Sequence, residues 1–243
     1  MSIRNNNLGS IVKPGFNALG AQTSVTTYEP YLYSWGSGGN GRLGLGNTTS
    51  YSSPKQVGSL TTWANISTGQ SFTIATKNDG TLWSWGFNFY GQLGLNNATS
   101  YSSPKQIGAL TSWSVISAGD GNFSVAIKTD GTLWTWGLNT NGQLGLGNTT
   151  SYSSPKQVGA LTTWSSISAG QRFSIATKID GTLWSWGYNF SGQLGLGNTT
   201  YYSSPKQVGA LTTWSRVAAG WNFSSAIAIN GWRNKVWKLP VII

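Results

Sequence analysis

One segment of about 50 residues occurs four times in this chain, and this repetition limits the possible folds more than any other feature of the sequence. Trp-Gly pairs recur at steps of 50, 51 and 50 residues, at Trp35-Gly36, Trp85-Gly86, Trp136-Gly137 and Trp186-Gly187. A Ser-Pro-Lys-Gln segment follows each pair, with its proline at Pro54, Pro104, Pro155 and Pro205. Tandem units of this length are typical of solenoids and propellers, in which each unit packs on its neighbours.

The third copy shows most clearly which strands a repeat contains. Alternating residues over 113–118 and 123–128 predict two strands, and Asp130-Gly131 predicts a tight hairpin turn after them. Residues 132–136 are the next predicted strand, and 155–158 a short outer strand in which proline is tolerated. Four strands in about 50 residues predict an all-β fold, a β-propeller of about four blades that forms a small or incomplete ring.

The two ends of the repeat array are complementary. Residues 31–35 correspond to the last strand of a blade whose first strands are missing, and residues 214–229 correspond to those first strands. We expect the two ends to pair, because this closes the ring and removes two open sheet edges. Val236-Trp237 competes for the same place beside residues 214–229.

The residues that the chain lacks exclude whole classes of chemistry. It contains no His and no Cys, which excludes disulfides, thiol catalysis, a His base and zinc sites with Cys or His ligands. Three of its five acidic residues precede a glycine in predicted turns: Asp79, Asp130 and Asp180. We therefore predict that the protein is not an enzyme and has no metal site and no cofactor.

The order of motifs within each repeat resembles a known family. The similarity is to the regulator of chromosome condensation repeat, and in the third copy it lies in Asp130-Gly-Thr-Leu-Trp-Thr-Trp-Gly137, Asn139, Gly142-Gln-Leu-Gly-Leu-Gly147, Pro155, Val158, Ser168-Ala-Gly170 and Phe173. The resemblance covers about residues 31–230 and implies propeller blades of this family's type.

The resemblance implies less about function. The best-known member has seven blades and acts as an exchange factor for a small GTPase on chromatin, whereas this chain has four repeats and no inserted wedge loop that we recognise. A role as a small-GTPase exchange factor or chromatin-binding protein is therefore kept only as an alternative. Bacterial and viral members of the family are, as a class, binding or surface modules.

Comparing the four copies with one another locates positions that the blade itself does not fix. The copies differ most directly after the Trp-Gly pair and just before the strand that begins with Phe. The strand order places both segments on one face, the top face, where aromatic loop residues either bind a ligand or tuck inwards. The candidate binding residues are Phe87, Phe89, Tyr90, Asp120, Asn122, Arg172, Tyr188, Phe190 and Trp221.

Two other recurring residue types have more than one interpretation. The Trp pairs, such as Trp83/Trp85, are either sugar-stacking platforms or packing between blades, which we favour. The recurring lysines either contact an anionic surface or nucleic acid, or protect strand edges from aggregation, which we favour; they are Lys55, Lys105, Lys156, Lys206, Lys77, Lys128 and Lys178. The formal charge of +10 is spread thinly, so nucleic acid is disfavoured as a partner.

The segments outside the repeats, residues 1–30 and 231–243, lack the motif. We expect residues 1–30 to form an N-terminal arm that anchors the propeller to other protein chains through Ile3, Leu8, Ile11, Val12 and Phe16. No apolar run reaches the roughly 18 residues of a membrane-spanning helix, and the first residues lack the apolar stretch of a signal peptide.

These observations favour a non-enzymatic structural or binding module. Low charge with abundant Gly, Ser, Thr and Asn is similar in style to bacteriophage fibre and decoration proteins. The leading hypothesis is a surface, fibre or decoration protein of a virion, held by its N-terminal arm. The main alternative is a lectin-like propeller whose top face binds carbohydrate, such as glycans of a host surface.

Overall fold

The computed structural model describes residues 30–229, so the expectations for the anchoring residues of the arm, for residues 231–243 and for Val236-Trp237 lie outside the described residues. Within residues 30–229 the regular elements are sixteen β-strands and one short 3₁₀ turn. The strands are β1 (Tyr33–Gly36), β2 (Tyr51–Gln56), β3 (Trp63–Thr68), β4 (Phe72–Lys77), β5 (Leu82–Gly86), β6 (Tyr101–Gln106), β7 (Trp113–Gly119), β8 (Phe123–Lys128), β9 (Leu133–Gly137), β10 (Tyr152–Gln157), β11 (Trp164–Ala169), β12 (Phe173–Lys178), β13 (Leu183–Gly187), β14 (Tyr202–Gln207), β15 (Trp214–Ala219) and β16 (Ser224–Ala228).

The strands form three complete blades and two half-blades. Blade A (β3–β6), blade B (β7–β10) and blade C (β11–β14) are each a four-stranded antiparallel sheet with the strands in chain order. At the ends lie an outer half-blade (β1–β2) and an inner half-blade (β15–β16). The predicted all-β propeller is confirmed. No helix among residues 30–229 is long and apolar enough to cross a membrane.

The predicted hairpin turn between the second and third strands is also confirmed. In blade B, Gly131 has a φ of +76°, which glycine adopts without the steric penalty of other residues. The carboxylate of Asp130 accepts hydrogen bonds from the backbone N–H of Thr132 at 2.9 Å and from its hydroxyl at 2.6 Å. That hydroxyl oxygen in turn accepts the indole N–H of Trp134 at 2.8 Å, so the turn fixes the next strand.

The core lies between neighbouring blades, where the Trp-Gly tryptophans are buried. Trp136 is fully buried, and its Nε1 donates to the carbonyl of Gln92 in blade A at 2.9 Å. A Cβ on Gly94 would lie 2.8 Å from the same indole nitrogen, so only glycine permits this approach. Trp85 and Trp186 repeat the arrangement. The favoured interpretation of the Trp pairs, packing between blades, is therefore confirmed.

The expected closure of the ring by the N-terminal strand is not formed. Among the described residues, β1 pairs with β2 alone and β16 with β15 alone. Trp35 and Phe223 are 59% and 64% exposed, whereas Trp136 and Phe123 at the equivalent positions of blade B are 0% exposed. The described blades therefore form an open arc, because each terminal half-blade lacks the two strands that would cover it.

Candidate binding face

The strand directions bring the two variable segments of each blade together at the top face. In blade B, the backbone N–H of Leu138 donates to the carbonyl of Asn122 at 2.9 Å. In blade C, the N–H of Tyr188 donates to the carbonyl of Arg172 at the same distance. The loop after the first strand is thus bonded directly to the loop after the third strand, as the sequence predicts.

A buried asparagine holds each long top-face loop in place. Asn139 is fully buried, and its side-chain amide donates to the carbonyls of Asn148 at 3.0 Å and Thr150 at 2.9 Å. Its side-chain oxygen accepts the N–H of Leu144 at 2.9 Å. Asn88 and Asn189 make the same bonds in blades A and C. Comparison of the copies missed this role. The signal was available, because the same residue, asparagine, occupies this position in three copies while its neighbours vary.

Three aromatic residues of blade A form one cluster on this face, which we call aromatic patch 1: Phe87, Phe89 and Tyr90. The rings of Phe87 and Phe89 are nearly parallel, 11° apart, with centroids separated by 6.4 Å. Tyr90 meets Phe89 edge-on at 5.0 Å. Phe89 is 68% exposed, so patch 1 is only partly tucked against the blade.

Blade C carries a second cluster, aromatic patch 2, made of Tyr188, Phe190 and Tyr201. The ring of Tyr188 lies 6.4 Å from that of Phe190 and 4.7 Å from that of Tyr201. The guanidinium carbon of Arg172 lies 6.0 Å above the Tyr188 ring. Partial burial and a hydrogen bond with Tyr188 raise the pKa of the Tyr201 hydroxyl. Phe190 is 70% exposed.

Tyr201 was not among the residues singled out in the sequence. The other three copies have serine at this position, Ser50, Ser100 and Ser151, within a segment that is otherwise almost invariant. That single substitution is the signal that distinguishes blade C. Since Tyr201 completes patch 2, a change within the most constant motif of the repeat carries information about the binding face.

The remaining candidate residues do not join either patch. The side chain of Asn122 accepts the amide of Gln92 at 3.1 Å, a bond between blades A and B that gives it a structural role. Asp120 is exposed at the tip of the same loop. Trp221 is 54% exposed on the loop between β15 and β16 and contacts no other aromatic ring among residues 30–229.

Two of the recurring lysines are buried on tryptophan rings, so edge protection is the wrong interpretation for them. Lys128 is 8% exposed, and its Nζ lies 3.8 Å from the ring centroid of Trp134 and 4.9 Å from that of Trp113. Burial lowers the pKa of Lys128, and the charge of Asp130 opposes this shift. Lys178 occupies the same environment in blade C. These cation–π contacts stabilise the fold at the face opposite the patches.

The turn aspartates give the fold a defined pH dependence. Hydrogen bonds from the following threonine lower the pKa of Asp79, Asp130 and Asp180. Their folded-state pKa lies below the unfolded value of roughly 3.9, so this stabilisation is complete above that value and disappears as the pH falls through the folded pKa. We expect the free energy of unfolding to decrease on acidification below about pH 4. Denaturant unfolding at a series of pH values between 6 and 2 measures this decrease in the free energy of unfolding.

The matched control for this pH dependence is Asp120, an exposed acid on the loop between β7 and β8 and not in one of the three Asp-Gly-Thr hairpin turns. The triple variant Asp79→Asn/Asp130→Asn/Asp180→Asn should have a flatter pH profile, whereas Asp120→Asn, which retains all three turn hydrogen-bond sets, should still lose stability on acidification. Identical pH profiles for the triple variant and the unsubstituted protein would contradict the assignment of the pH dependence to the turn aspartates.

No group of three acidic residues is placed to hold a metal ion among residues 30–229.

Comparison with known proteins identifies the repeat. The Regulator of chromosome condensation (RCC1) repeat matches four segments of the chain, residues 31–76, 79–127, 130–177 and 180–227. The chain belongs to this family. The matched segments coincide with the described arc of blades, so the family resemblance seen in the sequence is confirmed.

Relatives of the RCC1 family share parts of their length with this chain. The E3 ubiquitin-protein ligase HERC2 of Homo sapiens is 33% identical over 144 residues, which are 58% of this chain and 3% of HERC2. The crystal structure of human WBSCR16 matches with a TM-score of 0.73 and 24% identity, over 82% of this chain and 54% of that one. Prp20p from Saccharomyces cerevisiae matches with a TM-score of 0.72 and 22% identity, over 82% and 52%.

The chain thus spans about half the length of these two solved propellers and a small fraction of HERC2. At these identities the two structures establish the fold alone. The Prp20p structure was described together with binding of that protein to Gsp1p and histones.

Proposed function

We propose that this RCC1-repeat chain is a non-catalytic binding module that engages a protein partner through the aromatic patches of its top face. The observation that carries the proposal is the exposure of Phe89 and Phe190, 68% and 70%, on loops held by buried asparagines. Exposed phenylalanines on a fixed loop are unfavourable in water, and contact with a partner removes that penalty.

The composition and rigidity of the patches support a protein interface. Aromatic residues and arginine are enriched at the centres of such interfaces, and Arg172 lies over Tyr188 in patch 2. The Asn139-type hydrogen bonds fix the loops before binding, which reduces the entropy lost on association. The protein binding described for Prp20p supports the general class of function, while its partners remain those of that protein.

A more specific form of the proposal places this module on the surface of a virion, with residues 1–30 anchored to another chain of the particle. Support for it comes from composition alone, the low charge and the abundance of small polar residues. Cross-linking of purified particles, followed by identification of peptides joined to residues 1–30, tests this form. Absence of the chain from the particles would exclude it.

A carbohydrate ligand is the second candidate, and the ring geometry favours it specifically. Phe87 and Phe89 in patch 1, and Tyr188 and Phe190 in patch 2, are near-parallel pairs with interplanar angles of 11° and 20°. In each pair one ring, Phe89 or Phe190, is about two-thirds exposed and offers an apolar face against which the C–H groups of a sugar can pack. A lectin would therefore use the same residues as a protein-binding module.

The double variant Phe89→Ala/Phe190→Ala tests both candidates. Each truncated anchor is expected to weaken binding by roughly tenfold or more. The matched control is Leu110→Ala/Leu161→Ala, which removes two side chains that are 51% and 49% exposed on the opposite face. Binding to sugars is measured on a glycan array. Binding to proteins is measured by affinity capture from a cell extract, with this chain or its variants immobilised.

The outcomes separate the possibilities. A protein captured by the unsubstituted chain and by the control, but not by the Phe variant, supports the protein-binding function. Defined glycan signals with the same dependence support the lectin. Binding that is equal in both variants places the interface elsewhere and contradicts the proposal.

A further inference from the structure

Neighbouring blades are joined by three recurring interactions. Between blades A and B, the indole N–H of Trp136 donates to the carbonyl of Gln92 at 2.9 Å. The N–H of Asn96 donates to the carbonyl of Ser153 at 2.7 Å. Gly91 approaches Ser153 so closely that an added Cβ would lie 2.4 Å from its Cα. The same three interactions join the outer half-blade to blade A and blade B to blade C.

The far side of blade C has none of these interactions among the described residues. An added Cβ on Gly192 meets nothing within 4 Å, although Gly192 stands at the position of Gly91. Within residues 30–229, the carbonyl of Gln193 accepts only the hydroxyl of Ser224, at 2.7 Å, and receives no indole N–H. The N–H of Gly197, equivalent to that of Asn96, has no serine carbonyl. The inner half-blade therefore fills only part of the junction on this side of blade C, and the three interactions that complete the other junctions are absent among residues 30–229.

The outer half-blade at the other end of the chain carries the residues that this junction lacks. Trp35 and Ser52 stand at the repeat positions of Trp136 and Ser153. Trp35 is 59% exposed, and Tyr33 beside it on β1 is 48% exposed. The open edge of β1 is thus apolar and has the same sequence pattern as the strands that fill the other junctions.

The inner half-blade is open along β16 in a matching way. In blade B, β8 pairs with β9 in a register that places Phe123 opposite Gly137 and Val125 opposite Thr135. The repeat spacing transfers this register to β16 and β1, where Ser225 then lies opposite Ser34. Phe223, Ile227 and Ile229 are all more than half exposed on this side.

We propose that the two half-blades are completed between two copies of this chain. Strand β16 of one copy pairs with β1 of the second, and β16 of the second pairs with β1 of the first. Three complete blades from each copy and two shared blades then make a closed ring of eight, within the range of roughly four to eight blades found in propellers. Both exposed sheet edges disappear, and the assembly has two-fold cyclic symmetry.

The curvature of the arc favours a second copy over closure within one chain. The described arc superimposes on two RCC1-type propellers while covering only about half of each. An arc of that curvature leaves its two ends on opposite sides of the ring, where β1 and β16 of the same chain do not meet. A second identical arc brings the complementary end to each junction.

Introduced cysteines test the proposal directly, because the chain contains none of its own. The hydrogen bond from Lys128 N–H to Thr132 carbonyl makes Val125 and Thr135 a non-hydrogen-bonded pair, and such pairs have Cα atoms about 4.5 Å apart. That separation suits a disulfide. We therefore mix a tagged Ser34→Cys chain with an untagged Ser225→Cys chain and oxidise them.

The expected product is a covalent heterodimer of twice the chain mass of 25.9 kDa. Ser34→Cys mixed with Ser224→Cys is the matched control, because a shift of one residue moves the side chain to the other face of the strand. Equal cross-linking of both mixtures, or none of either, overturns the proposal. So does a double variant Ser34→Cys/Ser225→Cys that forms only a disulfide within a single chain, which shows intramolecular closure.

A glycine substitution tests the same junction without cysteine chemistry. Among residues 30–229 of one chain, a Cβ on Gly192 meets nothing within 4 Å, but in the proposed ring it meets Ser52 of the second copy. Light scattering should therefore give a dimer for the unsubstituted protein and a monomer for Gly192→Ala. Gly108→Ala is the control, since Gly108 also has a positive φ and open space around it but lies away from the junction.

Circular dichroism confirms that both glycine variants are folded. A monomeric unsubstituted protein at about 100 µM, well above the Kd of a specific interface, contradicts the proposal. A dimer that persists in Gly192→Ala contradicts it equally, because it must use another surface. The proposal rests on the strand edges and on the junction beside Gly192, not on the exposed rings of the aromatic patches, although Gly192 follows Phe190 on the same loop.

Discussion

Replacing Trp136 by alanine is expected to lower the free energy of unfolding by about 3–5 kcal/mol. Trp136 is fully buried between blades A and B, and its ring meets Trp113 edge-on at 6.1 Å. Truncation leaves a cavity that two strand-paired sheets cannot close by local movement. The carbonyl of Gln92 keeps its bond from the Ser124 hydroxyl at 2.8 Å, so most of the loss comes from packing. Urea unfolding, monitored by circular dichroism, measures this change in the free energy of unfolding.

Trp221 provides the control for this prediction. It is 54% exposed on a top-face loop, and surface substitutions of this kind usually change stability by less than about 0.5 kcal/mol. Trp221→Ala should therefore unfold at nearly the same urea concentration as the unsubstituted protein. If the two variants lose equal stability, the core does not lie between the blades.

The features that the sequence predicts well are those that depend on a few neighbouring residues. The Asp130-Gly131 turn follows from local chemistry, and β8 and β9 follow from alternation and from this turn. The four-fold repetition shows that the same solution is used in every copy, so the blade type and the shared top face are predictable as well. These parts of the fold need no information from distant segments.

The features that the sequence does not predict depend on how blades meet. The open ring follows from the rotation between successive blades, which leaves no trace in the pattern of a single repeat. The burial of Lys128 depends on Trp113 and Trp134. These residues lie on the two neighbouring strands and approach Lys128 only in the folded sheet. A lysine in an alternating strand is equally compatible with solvent, so its position alone does not reveal the cation–π contact.

The candidate binding face was predicted only in part, because its composition also depends on contacts between distant segments. Phe89 and Phe190 are exposed at loop tips, whereas their place in variable segments left both exposure and inward packing open. Asn122 shares such a segment but bridges two blades, and Tyr201 joins patch 2 from a more distant part of the loop. Comparison between copies therefore finds which positions vary, while contacts decide which of them form a surface.

Replacing Gly91 by alanine is the second substitution from which we expect a large effect. Gly91 has a φ of +78°, and its missing Cβ would lie 2.4 Å from the Cα of Ser153 in blade B. The left-handed backbone costs about 1–2 kcal/mol for an L-residue. Forcing the two backbones apart adds about 1–3 kcal/mol, because Ser153 lies within β10 and the loop of Gly91 is held by the hydrogen bonds of buried Asn88. We expect a total loss of about 2–5 kcal/mol in urea unfolding.

The comparison with Gly108→Ala separates the two contributions. Gly108 has a φ of +58° but no atom within 4 Å of an added Cβ, so this variant should show only the backbone penalty of about 1–2 kcal/mol. The difference between the two variants then measures the close approach of neighbouring blades. Equal losses would mean that the glycine-rich loop can withdraw from Ser153 without penalty. In that case the glycines of the repeat would serve turn geometry alone, and the tight contact between blades would not explain their recurrence.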